Sequence, residues 1–330
     1  MKAKLTDLIF RLGVFKLVAP LSRGLGSILM LHEVHADDSL AIFDGCTASQ
    51  LDRALDALRR WNIDLIAMDD LLPRLRSNNR RQFVVITLDD GYRDNLENAL
   101  PIFERHQVPI LINVPTGAVT RELYCWWIGL RELFMTRDTL RLPTGQDLDI
   151  GTRDAKLREY RRLQHWLAED FMRADTLRPW FEAEGLSFPV LADRFFMNEG
   201  ELRRCGAHPL VTIGAHSNTH RPLASLPEQE MRSELTENKA FLEAILQKPV
   251  DHFAYPYGGK AQCGPREALA ARETGFKTAI AVRHGQLTAS SVDTPFLLPR
   301  EDIGYHGMTE RQLYGVANGF YGLRAGLMGS

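Results

Sequence analysis

Cysteine is scarce in this chain. The 330 residues hold four, Cys46, Cys125, Cys205 and Cys263, far apart and with no C-x-x-C pair. That spacing argues against a disulfide framework and a thiolate zinc site, and makes a reducing compartment the default. An excess of either charge is lacking too. The formal net charge is -2 and the basic residues are scattered, so no nucleic acid partner is expected. Internal repeats and low-complexity segments are absent.

Long apolar runs are also missing. The stretch LTDLIFRLGVFKLVAPLSRG is interrupted by Asp7, Arg11 and Lys16 and has no A-x-A cleavage site. It is too broken for a secretory signal and too short for a membrane span. Leu8, Phe10, Leu12, Phe15, Leu17 and Val18 instead predict an amphipathic N-terminal helical segment within residues 1–26. Such a helix packs on the domain or lies peripherally on a membrane. The expected location is the cytoplasm, with contact at the inner membrane as the second reading.

What is present is ordinary globular material, 45% hydrophobic and 25% charged, long enough for one barrel-sized domain with insertions. Short apolar runs alternate with helical patterns, which argues for an α/β fold. Strands are predicted at Ser27–Leu31, Asp64–Met68, Phe83–Leu88, Pro109–Asn113, Val211–Gly214, His252–Tyr255 and Phe276–Val282. Leu51, Ala54, Leu55, Leu58 and Trp61 mark one helix face. The segment Ser225-Leu-Pro-Glu228 is a capping-box pattern opening another helix. Residues from about 118 to 205 break the alternation and read as a mostly helical insertion in a domain spanning 27–330. Its Trp126 and Trp127 either stack on a sugar ring or anchor the insertion to the core.

Three motifs carry chemistry. Thr87-Leu-Asp89-Asp90-Gly91-Tyr92 follows an apolar strand. Adjacent carboxylates there are costly unless a cation or proton relieves them, although an acidic turn is the plain alternative. His216-Ser-Asn-Thr-His220 follows the Val211–Gly214 strand, and its i, i+4 spacing puts both imidazoles on one helix face, where they can converge on one metal. Tyr255-Pro256-Tyr257-Gly258 is a turn able to aim a backbone N–H into a pocket. Each signal is weak alone. All three at strand ends suit a metal site of one Asp and two His with open positions.

Together TLDDGY, HSNTH and YPYG resemble the first three motifs of the polysaccharide deacetylase family, also called NodB-homology or carbohydrate esterase 4, in the family's order. The similarity runs from about Leu29 to Arg300. It implies a distorted, incomplete (β/α) barrel of about seven strands and one divalent metal. Zinc is the first choice, with Co2+, Ni2+ or Fe2+ also suited to these ligands. It implies that Asp90, His216 and His220 hold the metal, that Asp89 is the base for a metal-activated water, and that the Tyr257 N–H stabilises the oxyanion. Tyr92, Pro256, Trp126 and Trp127 are the expected substrate contacts.

The later motifs depart from the pattern. Many members carry an arginine before the Pro-Tyr-Gly turn, where this chain has Ala254; Arg300, in LLPRED, is the proposed replacement that orients Asp89. The late leucine–histidine motif that usually supplies the acid has no clear copy. His32, His284 and His306 compete for that role, with His32 first because it ends a strand. The reaction implied is removal of an N-acyl group, foremost N-acetyl, from an amino sugar of a bacterial surface glycan or its nucleotide- or lipid-linked precursor. Alternatives are a deformylase or O-deacetylase with the same metal site, and an inactive carbohydrate-binding relative.

Overall fold

The computed structural model describes residues 22–36, 45–170, 172–305 and 307–320. Residues 1–21 of the expected N-terminal helical segment, and His306, lie outside them. No helix among the described residues is long and apolar enough to cross a membrane.

Seven parallel strands form the centre, and their order in the ring is their order in the chain. They are β1 (Gly26–Leu31), β2 (Phe83–Leu88), β3 (Ile110–Val114), β4 (Val211–Ala215), β5 (His252–Ala254), β6 (Thr278–Val282) and β7 (Leu298–Asp302). The ring closes twice on β1, through the pairs Leu29↔Glu301 with β7 and Gly26↔Phe83 to Leu31↔Leu88 with β2. The (β/α) barrel of about seven strands is thus found. It lacks an eighth unit, yet its sheet has no gap.

Because side chains alternate across a strand, each strand serves two environments. Leu29, Leu31, Val84, Ile86, Leu88, Ile110 and Ile112 face outward into the main core beneath the helices. Ile28, Phe83, Val85, Leu111, Ile280 and Leu298 belong to a second cluster that fills the lumen. Continuing the lumen series by twos leads from Ile28 to Met30 and His32, from Val85 to Thr87 and Asp89, from Leu111 to Asn113, and from Leu298 to Arg300. The lumen is therefore apolar at the strand starts and polar at the C-terminal ends. Sequence alternation alone builds the floor of a site there.

The outer helices used below are α1 (Ala48–Arg60) and α2 (Leu100–His106), then α3 (Trp126–Thr136), α4 (Arg153–Glu169), α5 (Met172–Ala183), α6 (Phe188–Phe195) and α7 (Glu199–Gly206), and finally α8 (Glu228–Leu246), α9 (Pro265–Glu273) and α10 (Glu310–Ala317). Helix α1 starts at a capping box, Thr47 with Gln50, and buries Leu51, Leu55 and Leu58, the periodic face read from sequence. The segment from β3 to β4 carries α3 to α7 and a small hairpin, Thr139–Arg141 with Asp147–Asp149. It has its own core, including Phe134, Tyr160, Phe181 and Phe196, which also takes in Tyr92 from the barrel. Helix α10 lies back on the barrel, with Tyr314 edge-on to Trp61 and the Ala317 carbonyl accepting from Ser27 and Gln82.

Three local expectations are corrected. The strand expected over Asp64–Met68 is two residues, Asp64–Leu65, and then turns into a 3-10 helix at Met68–Asp70. The capping box at Ser225 does not form: its hydroxyl donates to the Pro222 carbonyl at 2.7 Å, and α8 begins only after Pro227. The His216–His220 segment is not helical. Ser217 and His220 both take positive φ, 64° and 59°, so a tight turn, not a helix face, brings the two imidazoles together.

Candidate metal centre and active-site cleft

Motif one turns sharply at the end of β2. Asp90 and Gly91 both adopt left-handed backbone, φ 71° and 69°, a costly conformation for an aspartate and an easy one for glycine. A Cβ at position 91 would also press on Val114 at 3.0 Å. The turn separates the two carboxylates: Asp89 continues the lumen series while Asp90 swings toward β4.

Asp90, His216 and His220 each offer a ligand atom, and these atoms lie within 4.8 Å of one another. Asp90 Oδ1 is 3.4 Å from His216 Nε2 and 3.1 Å from His220 Nε2, but it is buried without a hydrogen bond of acceptable geometry. An orphaned buried carboxylate oxygen facing two imidazole nitrogens is what a cation resolves. His216 Nδ1 lies 2.7 Å from the Ala254 carbonyl, which can only accept, so that nitrogen carries the proton and Nε2 presents a lone pair. Burial pushes the His220 pKa down, against the pull of Asp90, favouring the neutral imidazole that ligates. The residues fit a divalent metal.

Asp89 is fixed from two sides. Arg300 forks onto both carboxylate oxygens, at 2.9 and 2.5 Å, and Asn113 Nδ2 donates to Oδ1 at 2.8 Å. Burial alone would raise the Asp89 pKa, but Arg300, with His216 and His32, outweighs it and the group is pulled down to about 2. His216 Nε2 lies 3.8 Å from Asp89. Gly214, beside Asn113, has no room for a side chain, since a Cβ would stand 2.3 Å from Asn113 Oδ1.

Above these groups lies a cleft of about 500 Å³ lined in part by His32, Asp89, Asp90, His216, His220 and Arg300. Tyr92, Trp126, Trp127 and Tyr257 also line it. The Trp127 indole donates to the Tyr92 hydroxyl at 2.6 Å, and its ring sits 4.9 Å from that of His220. Trp126 is nearly buried and donates to the Tyr257 hydroxyl at 3.1 Å. The two indoles thus anchor the β3–β4 segment and wall the cleft at once. Tyr257 takes φ 60° in its turn, whereas the neighbouring Pro256 is buried and does not line the cleft, so the substrate contact expected of it is not made there.

Of the competing histidines, His32 stands in the cleft. Burial lowers its pKa, but Asp90, Asp89 and Asp302 together raise it above its ordinary value. His284 is largely exposed, pairs with Glu301 at 2.7 Å and is not among the cleft residues.

Several positions escaped the sequence reading. Asn113 is one. Glu234 and Asn238 on α8 are others: Glu234 accepts from Asn218 N, Thr219 N and the Thr219 hydroxyl, and Asn238 Oδ1 accepts from His216 N at 2.8 Å. Their signal was available, as polar residues on the helix face that also buries Met231, Leu235 and Leu242. The buried pair of Glu33 with Arg131 and the α4 arginines gave no such signal.

The family model for polysaccharide deacetylases matches residues 179–279. No curated protein sequence matches the chain. Among solved structures, the Streptococcus pyogenes deacetylase PplD in complex with acetate is similar at a TM-score of 0.58 and 14% identity, covering 88% of this chain and 97% of that one. IcaB from Ammonifex degensii aligns at 0.53 and 17% identity, over 90% and 98% of the two chains. The BpsB deacetylase domain from Bordetella bronchiseptica aligns at 0.54 and 16%, over 86% and 98%. At such identities the structural likeness is one of fold. The family match takes in the second and third of the motifs, His216–His220 and Tyr255–Gly258, and with the shared fold it bears out the family resemblance.

Proposed function

We propose that this chain, a relative of the polysaccharide deacetylases by family match and by fold, is a metal-dependent hydrolase that removes an N-acyl group, foremost N-acetyl, from an amino sugar. The observation carrying this reading is the orphaned Asp90 oxygen between His216 and His220, at the floor of a cleft beside a second, fully paired aspartate. Asp90, His216 and His220 would hold the ion. When bound, a divalent cation of the zinc type supplies Lewis acidity at an acyl carbonyl and lowers the pKa of water.

The remaining roles fall to the chain's own groups. Asp89 stays ionised because Arg300 faces it, and it is placed to accept a proton in the cleft. Asn113 and Arg300 fix its orientation. Tyr257 lines the cleft, and its backbone N–H is the group that would stabilise a developing oxyanion, by about 3 kcal/mol. His32, which lines the same cleft, is the proton donor to the leaving amine. Its place in the cleft supports that role better than its raised pKa, because a cation at Asp90 would offset part of the rise.

Metal content tests the reading without a known substrate. About one divalent ion per chain in the purified protein, lost in Asp90→Ala, is the expected result. Acetate release from N-acetyl amino-sugar oligomers should then accompany metal, and parallel N-formyl and O-acetyl substrates identify the acyl group. Absence of metal in both proteins after divalent ions are supplied would reject the hydrolase in favour of a carbohydrate binder.

A further inference from the structure

Helix α4, in the β3–β4 segment, turns one edge toward the cleft. Arg153, Leu157, Arg161 and Gln164, at spacings of four, four and three, all line it. The helix is rich in arginine, but its arginines fall into two sets. Arg158 and Arg162 pair with Glu159, at 3.1 and 2.7 Å. Arg153 and Arg161 have no carboxylate or hydrogen-bond partner among the described residues, although both are exposed at the cleft. Eight residues of helix separate them, about 12 Å along the axis.

The negative groups of the cleft do not explain these cations. Asp89 is matched by Arg300 and Glu33 by Arg131, while Asp90 belongs to the metal set. Among the described residues of the cleft, Asp302 alone is left as an exposed carboxylate, and it accepts from Gly304 N without reaching either arginine. A neutral chitin-like oligomer offers these two guanidinium groups hydroxyl and amide oxygens but no negative charge to match theirs. Guanidinium forks match phosphate and carboxylate oxygens, and a cleft wall is where such a charge would be read.

We infer that α4 selects an anionic substrate, Arg153 and Arg161 receiving a phosphate or carboxylate attached near the amino sugar that is deacylated. The inference rests on the deacylase reading for the chemistry at the metal end, and on the unpaired arginines for the charge. Both candidate anions share one recognition chemistry, so the probes must tell them apart.

The test is calorimetric binding to the zinc-loaded full chain at low and physiological salt. The probes are N-acetylglucosamine 1-phosphate, a disaccharide of N-acetylglucosamine with glucuronate, and neutral chitobiose. One charged probe should bind roughly tenfold tighter than chitobiose, about 1.4 kcal/mol, the scale that two exposed ion pairs reach together. Its identity names phosphate or carboxylate. R153Q/R161Q should abolish that preference, and R158Q/R162Q, with the same charge change on the same helix, should keep it. Equal binding of charged and neutral probes would overturn the inference, as would a preference surviving R153Q/R161Q or lost equally in R158Q/R162Q. Acyl release is measured separately. Charge-selective binding without release removes the hydrolase reading alone, and release without charge selectivity removes this inference alone.

Discussion

Asp89 and Arg300 are both buried, and neither is tolerable without the other. A carboxylate and a guanidinium taken out of water are each costly, and the fork between them, with Asn113 as third partner, offsets that cost. Arg300→Gln is therefore expected to destabilise the fold by about 3 to 5 kcal/mol, because it leaves Asp89 as an uncompensated buried charge. Chemical denaturation of wild type and variant checks it, and a loss below about 1 kcal/mol would mean that the pair is solvated in solution. Arg300 reaches Asp89 from β7. On β5 the Ala254 carbonyl sets the His216 tautomer.

At the scale of the element, α8 holds the His216–His220 turn from behind. Its buried face carries Met231, Leu235 and Leu242 for packing, with Glu234 and Asn238 interleaved. Glu234 accepts three hydrogen bonds from Asn218 and Thr219, and Asn238 bonds His216 N, the Val114 carbonyl and the Thr116 hydroxyl. This one helix thus fixes a turn containing two left-handed residues. Partners behind metal ligands commonly contribute 10- to 100-fold in affinity. Asn238→Ala should weaken metal binding by about that factor while Asp90 and both histidines remain. Competition against a chelator of known affinity measures it, and unchanged affinity would show that the turn holds itself.

At the scale of the whole molecule, the barrel puts its polar residues at one end of the lumen, and the β3–β4 segment closes over them. The buried ion pair of Glu33, just after β1, with Arg131 on α3 ties the two together. Concentrating ionised groups in this way makes stability depend on pH. The Asp89 pKa is depressed to about 2 in the fold, against roughly 4 in an unfolded chain. Its contribution is therefore fully present above about pH 4 and is lost as pH falls through the folded value near 2, a term of about 2 kcal/mol. Asp89→Asn lacks that proton linkage. The stability gap between wild type and Asp89→Asn should narrow by about this amount between pH 5 and pH 2, as read from urea midpoints. A gap independent of pH would show that Asp89 is not ionised in the fold.

The sequence by itself determined the strand–helix alternation, the apolar strands and the strand-end position of the three motifs. These are local properties: period-two and period-3.6 patterns follow from how consecutive residues project from a backbone. Tertiary structure decided what depends on residues distant in the chain. Closure of the ring onto β1, the fork of Arg300 onto Asp89 across 211 positions, and the hold of α8 on the His216 turn are of this kind. The i, i+4 histidines show the boundary between the two. Their spacing was legible, but the turn that makes them converge needed Glu234 and Asn238 to hold it, and no local pattern encodes partners brought in from another element.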